Sequence, residues 1–105
     1  MARKSLDFAA IEQAALANIA AILQRLVPHG RVRGQEYIAL NPKRSDQHVG
    51  SFKVNMRTGK WADFACADAR GNGVISLVAY VCNVRPYEAA LHLSQQLGVG
   101  GVHHD

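Results

Sequence analysis

The residues with the clearest chemical potential lie in the middle of the chain, where basic side chains and a tryptophan are close in sequence. Lys53, Asn55, Arg57, Lys60 and Trp61 fall within one short stretch. Basic side chains bind phosphates, and a tryptophan ring offers a stacking surface worth about 1–3 kcal/mol per base. This combination is typical of a surface that binds single-stranded nucleic acid. Large aromatic side chains are usually buried, so a core position for Trp61 is the alternative.

Further basic residues flank this stretch. The chain of 105 residues has a net charge of +4, and eight basic residues stand against two acidic ones between positions 25 and 60. Such an excess favours a polyanionic partner, although a solvated basic face has the same composition. We predict the following nucleic-acid-binding residues: Arg31, Arg33, Lys43, Arg44, Lys53, Asn55, Arg57, Lys60 and Trp61.

A β-hairpin is predicted to position these side chains. Apolar and polar residues alternate from Phe52 to Arg57, which is typical of a strand with one buried face. Thr58 and Gly59 then supply a turn, and a three-residue loop ending at Gly59 fixes the register. That register pairs Phe52 with Phe64 and Val54 with Ala62 on the buried face, and Lys53 with Asp63 and Asn55 with Trp61 on the exposed face.

Helices are predicted on both sides of this hairpin. The first begins after the cap Asp7, carries apolar residues at three- and four-residue spacing, and ends before Pro28. It packs on the core or, as the alternative, serves as a dimerising surface. A second helix is capped by Asn72 and ended by Asn83, and a third runs from Pro86 to a glycine at position 98.

These elements predict one α+β domain over residues 1–99, followed by a flexible tail at 100–105. It comprises an N-terminal helix (1–28), a small three-stranded antiparallel sheet (34–66, including a strand from Glu36 to Leu40) and two C-terminal helices (72–98).

Two cysteines, Cys66 and Cys82, imply neither a disulfide framework nor a metal motif, and Cys82 is expected in the core. Without an apolar signal region or a membrane-spanning run, we expect a cytoplasmic protein with no membrane partner.

Four stretches of the sequence resemble the zinc-ribbon domain of bacterial and phage-type DNA primases across about residues 34–98. They are Asn41-Pro42-Lys43-Arg44, Gly50-Ser51-Phe52-Lys53-Val54, Lys60-Trp61-Ala62-Asp63-Phe64 and Gly71-Asn72-Gly73-Val74-Ile75-Ser76-Leu77. The resemblance puts the family's four zinc ligands at Asn41, Arg44, Asp63 and Cys66. Because only Cys66 is a zinc-binding type and an arginine would repel the ion, we expect a metal-free form without a cofactor. Pairing of His48 with Cys66 and Asp63 is the alternative.

The resemblance implies a domain that contacts template DNA beside a separate catalytic domain. We expect a non-catalytic module that binds nucleic acid, single-stranded DNA above all, in a phage or mobile-element replication system. The alternative is a protein-interaction module, such as a phage or plasmid inhibitor of a host nucleic-acid machine. Catalysis has little support, since Cys66 has no base nearby in sequence except His48. The Gly71-Asn72-Gly73 turn is read as helix capping, with a phosphate site as the weaker alternative.

Overall fold

The computed structural model describes residues 6–43 and 51–99. In chain order the elements are α1 (Phe8–Ala17), α2 (Ile19–Leu26), β1 (Arg31–Arg33), β2 (Glu36–Ala39), β3 (Phe52–Asn55), β4 (Lys60–Asp63), β5 (Cys66–Asn72), α3 (Val74–Cys82) and α4 (Pro86–Leu97). The strands form an antiparallel sheet in the order β1-β2-β3-β4-β5. The chain is therefore α+β, but the prediction of a three-stranded sheet with one N-terminal and two C-terminal helices is wrong. The described residues contain five strands and four helices.

The predicted N-terminal helix is divided in two at Asn18. Asp7 caps α1 as predicted, since its Oδ1 accepts a hydrogen bond of 3.0 Å from the Ala10 backbone N–H. At Asn18 the backbone N–H donates to the Ala15 carbonyl, three residues back, and the side-chain amide donates to the Ala14 carbonyl. Asparagine competes in this way for helical carbonyls, so the helix is interrupted there. The second piece, α2, ends at Leu26, before Pro28 as predicted.

Two of the five strands were not predicted. β1 pairs with β2 through Arg31 and Ile38, and β5 pairs with β4 through Arg70 and Ala62. The local sequence of β5 does not favour a strand, because alanine, aspartate, glycine and asparagine are poor strand formers. Its pairing with β4 and the burial of Ala69 override that local preference.

The helices cover one face of the sheet. A single cluster of buried apolar side chains joins all four helices to alternate positions of the strands. From the sheet it includes Tyr37, Ala39, Phe52, Val54 and Trp61. The Tyr37 hydroxyl also donates to the Val27 carbonyl and accepts from the Gly30 N–H, which joins the end of α2 to β2. The opposite face of the sheet is directed away from this core.

The ends of the two C-terminal helices largely follow the prediction. Asn83 and Gly98 end α3 and α4 with left-handed backbone conformations, and Pro86 is the first residue of α4. The prediction that Asn72 caps α3 is wrong. The residue before α3 is Gly73, which has no side chain with which to cap the helix. Cys82 is exposed, so its predicted core position is also wrong.

Among the described residues, no helix is long and apolar enough to cross a membrane. The predicted tail at 100–105, as well as Arg44 and His48, lies outside the residues that the structure describes.

Candidate nucleic-acid interface

The predicted hairpin is present, but its register differs by one residue. The observed pairs are Phe52 with Asp63, Lys53 with Ala62 and Val54 with Trp61. Four residues, Met56 to Gly59, connect the strands instead of three. Asn55 stabilises this longer loop, because its Oδ1 accepts hydrogen bonds from the backbone N–H groups of Arg57 (2.9 Å) and Thr58 (3.0 Å).

This register inverts the two faces of β4. Trp61 and Asp63 are buried, with 5 % and 2 % of their surface exposed, whereas Phe64 is 74 % exposed. The Trp61 ring packs against Tyr80 with 4.9 Å between centroids, and its Nε1 donates to the Ser76 hydroxyl. The predicted stacking role of Trp61, the Lys53–Asp63 pair and the Phe52/Phe64 core contact are therefore wrong.

Basic side chains cross the outward face of the sheet in a regular row. Cross-strand pairing aligns one residue from each strand, in the order Arg31, Ile38, Lys53, Ala62 and Arg70. The cations in this row occupy the first, third and fifth strands. Neighbouring strands are about 4.8 Å apart, so successive cations attach to the backbone roughly 10 Å from each other. Next to this row the pairs Arg33–Glu36 and Lys60–Asn72 add two more basic residues.

A shallow concavity of about 570 Å³ lies on this outward face. Its lining includes Glu36, Lys53, Asn55, Lys60, Phe64 and Arg70. The ammonium group of Lys53 lies 5.6 Å from the centroid of the Phe64 ring. An exposed aromatic ring beside cations is the arrangement on which proteins stack unpaired bases.

The basic residues of the outward face carry unneutralised charge. We call this set the basic row residues; it comprises Arg31, Arg33, Lys53, Lys60 and Arg70. In residues 6–43 and 51–99, none of them forms an ion pair, and neither do the acidic residues Glu36 and Asp68 on β2 and β5. Cations without carboxylate partners leave a positive potential available to a polyanion.

The structure brings together five of the nine predicted binding residues: Arg31, Arg33, Lys53, Asn55 and Lys60. Arg57 is exposed in the loop after β3. Lys43 lies elsewhere, with its ammonium group 4.6 Å from the centroid of the Tyr80 ring of α3. Sequence reasoning missed Phe64 and Arg70. The alternation in β4 would have placed Phe64 correctly with a four-residue loop, whereas Arg70 depends on recognising β5.

Two of the four positions at which the resemblance puts zinc ligands are in direct contact. The side-chain amide of Asn41 donates to Asp63 Oδ2 (2.9 Å) and also reaches the Tyr80 hydroxyl (2.8 Å). Asp63 Oδ1 accepts from the Ala65 N–H. An amide and a carboxylate that bond each other do not supply the soft donors of structural zinc, so these two residues do not fit that metal.

The start of α3, considered above as a phosphate site, already has an anionic partner within the chain. The carboxylate of Glu12 in α1 accepts hydrogen bonds from the backbone N–H groups of Val74 and Ile75, the latter at 3.0 Å. These are the free N–H groups at which a helix N-terminus binds an anion. Gly71 and Asn72 belong to β5, so the predicted capping turn is wrong, and the Glu12 carboxylate joins α1 to the start of α3.

Comparisons of the chain with protein-family models, with curated proteins and with solved structures found no match.

Proposed function

We propose that the outward face of the sheet binds single-stranded nucleic acid, without catalysing a reaction on it. The observation that carries this proposal is the set of basic row residues, which form no ion pair in the described part of the chain. Three of them, Lys53, Lys60 and Arg70, line the concavity that also contains the exposed ring of Phe64. Phosphates supply the counter-charges for such a face, and their contacts contribute most of the affinity of nonspecific nucleic-acid binding.

Single strands fit this face better than a duplex. The ring of Phe64 can stack only on a base that is free of its neighbours, because bases inside a duplex have both faces covered. The cations on β1, β3 and β5 lie in one line across the sheet, so a strand crossing it would meet one at every second β-strand. Single-stranded DNA in the cytoplasm, in the replication of a phage or mobile element, is the setting that the primase-like sequence pattern favours.

Fluorescence anisotropy tests this proposal. A labelled mixed-sequence oligonucleotide, single-stranded or annealed to its complement, is titrated with the protein at about 50 mM and about 200 mM salt, where phosphate contacts show their dependence. We expect the single strand to bind more tightly than the duplex and its affinity to fall steeply with salt. Binding of neither form at low salt would overturn the proposal.

Charge reversal identifies the face that binds. Lys53→Glu and Arg70→Glu should each weaken binding about tenfold or more, since each removes a phosphate contact and adds repulsion. Arg25→Glu is the matched control, because Arg25 lies on α2 and lines a groove between helices on the other side of the core. An equal loss in all three variants would indicate that only net charge matters.

A protein-interaction module is the second candidate function, and one observation favours it. Phe8 and Tyr87 are 40 % and 45 % exposed, and their rings lie 6.5 Å apart on the helical side. Exposed aromatic residues are enriched at protein interfaces. Binding of a protein partner through this pair would depend little on salt, in contrast to binding through the sheet.

A further inference from the structure

Glu36 is an acidic residue in a concavity otherwise suited to phosphates. Among the residues that line the concavity in the described chain, Glu36 is the only acidic one. It is partly buried and forms no ion pair with the basic residues around it. A carboxylate there repels a phosphate, so the part of a bound strand that lies against Glu36 is a base or a sugar. A carboxylate accepts hydrogen bonds and does not donate them, which restricts the base further.

Asn55 places a donor next to this acceptor. It is the cross-strand partner of Glu36, and the Cβ atoms of such pairs are about 4.5–5.5 Å apart. Both backbone N–H groups that bind Asn55 use its Oδ1, and Nδ2 has no partner in the described chain. The orientation of the amide is thereby fixed: the oxygen faces the loop, and the NH₂ group is left for a ligand.

Guanine has the base edge that matches this pair best. Its Watson–Crick edge presents two adjacent donors, N1–H and the N2 amino group, beside the O6 acceptor. Thymine has one ring N–H between two carbonyls, and adenine and cytosine each have one amino group beside a ring nitrogen that accepts. Only guanine therefore offers two parallel N–H groups to a single carboxylate and a carbonyl to the neighbouring amide.

We propose that the pair Glu36–Asn55 reads an unpaired guanine, with the Glu36 carboxylate accepting from N1 and N2 and the Asn55 amide donating to O6. This inference rests on the proposed binding of single strands to the same face. It also gives a second reason for preferring single strands, because in a duplex the same edge of guanine is already paired with cytosine. Phosphates on either side of that nucleotide are left to the basic row residues.

Substituted oligonucleotides test the guanine preference. The background is a labelled oligo(dT) of about twelve nucleotides, in which one central position carries thymine, guanine, adenine or hypoxanthine. We expect guanine to bind about tenfold more tightly than thymine, the discrimination typical of one bidentate side chain–base pair. Hypoxanthine, which lacks the N2 amino group, should lie between them. Adenine should stay near thymine, which separates edge recognition from the stronger stacking of any purine.

Variants assign the preference to the pair. Glu36→Gln should reduce the guanine preference to less than about twofold, because glutamine keeps one acceptor oxygen and sets a donor NH₂ group against the second N–H group of guanine. Asn55→Asp keeps the oxygen that stabilises the loop and removes the donor, so it should also lose the preference. Glu88→Gln is the control, because it removes the same single negative charge as Glu36→Gln but on α4. A glutamine at that position can still form the capping box.

The possible outcomes separate the two proposals. Equal binding of the thymine and guanine oligonucleotides, or a guanine preference that survives Glu36→Gln, would overturn the reading of guanine and leave single-strand binding intact. Absence of binding to every oligonucleotide would overturn the proposed function and this inference with it.

Discussion

The side-chain amide of Asn41 donates a hydrogen bond of 2.9 Å to Asp63, and both residues are almost completely buried, with 1 % and 2 % of their surface exposed. The same amide reaches Tyr80 of α3. One asparagine thus joins the segment after β2, the end of β4 and a helix. Buried polar groups of this kind contribute to stability mainly because leaving one partner unsatisfied is costly.

Replacing Asn41 tests that contribution. We expect Asn41→Ala to lower the free energy of unfolding by about 1–3 kcal/mol, because Asp63 loses a buried donor. Urea denaturation measures the change. The control is Asn72→Ala, an exposed asparagine on the outward face, which should change stability by less than about 0.5 kcal/mol. Similar losses for the two variants would contradict a structural role for the Asn41–Asp63 bond.

Glu12 should act as the cap of a helix that is distant in sequence. Removing its carboxylate with Glu12→Ala leaves the N–H groups of Val74 and Ile75 without their acceptor, and we expect a loss of about 1–2 kcal/mol, as for other N-caps. Glu12→Gln keeps one acceptor and should lose less. The measurement is thermal or urea unfolding followed by circular dichroism. If neither Glu12→Ala nor Glu12→Gln changes the free energy of unfolding, the hydrogen bonds between Glu12 and the start of α3 do not stabilise the protein.

Phe64 should matter for binding and not for folding. Because its ring is 74 % exposed, Phe64→Ala should leave the unfolding midpoint nearly unchanged. The affinity for single strands should fall by about tenfold, corresponding to one base losing its stacking partner. Tyr87→Ala removes an exposed aromatic side chain from the helical side and serves as the control. A larger effect of Tyr87→Ala on nucleic-acid binding would place the binding site on the helical side and contradict binding by the outward face of the sheet.

Gly71 is required by the packing of Trp61. A Cβ atom added at Gly71 would meet Ser76 Oγ and come within 2.7 Å of Trp61 Nε1. Gly71→Ala should therefore destabilise the protein by about 1–3 kcal/mol, as overpacking does, and shift Trp61 emission to longer wavelength. Gly34→Ala is the contrast for emission: its positive φ of 63° also strains an alanine, but its added Cβ meets no atom within 4 Å, so the emission should not move.

The parts of the fold that depend on local signals were predictable from sequence. The alternation in β3 correctly placed Phe52 and Val54 inward and Lys53 outward, and Pro86 marked the start of α4. The register of β4 was not predictable in the same way, because it depends on one additional loop residue. A three-residue loop and a four-residue loop both suit this sequence, and the side-chain caps of Asn55 together with the burial of Trp61 favour the longer one.

The candidate site was predictable to the same extent. Lys53, Asn55 and Lys60 were predicted to lie on one face, and the structure places them together; the exposed aromatic residue was predicted to be Trp61, whereas the structure exposes Phe64. A shift of one residue exchanges the two faces of a strand. This one error in register therefore placed Trp61 on the surface and Phe64 in the core, whereas the structure has the reverse. Arg70 was missed because β5 is held by its neighbour and not by its own strand propensity.

The sequential order of the strands sets the order in which the chain can fold. Each strand pairs only with its neighbours in the chain, so the sheet can form as a series of short closures of the kind that occur within microseconds. The first helix packs against α3 and α4, which come from the other end of the sequence. On a ribosome the sheet residues therefore emerge before α3 and α4 are made, and α1, although made first, gains its helical partners only when the last elements emerge.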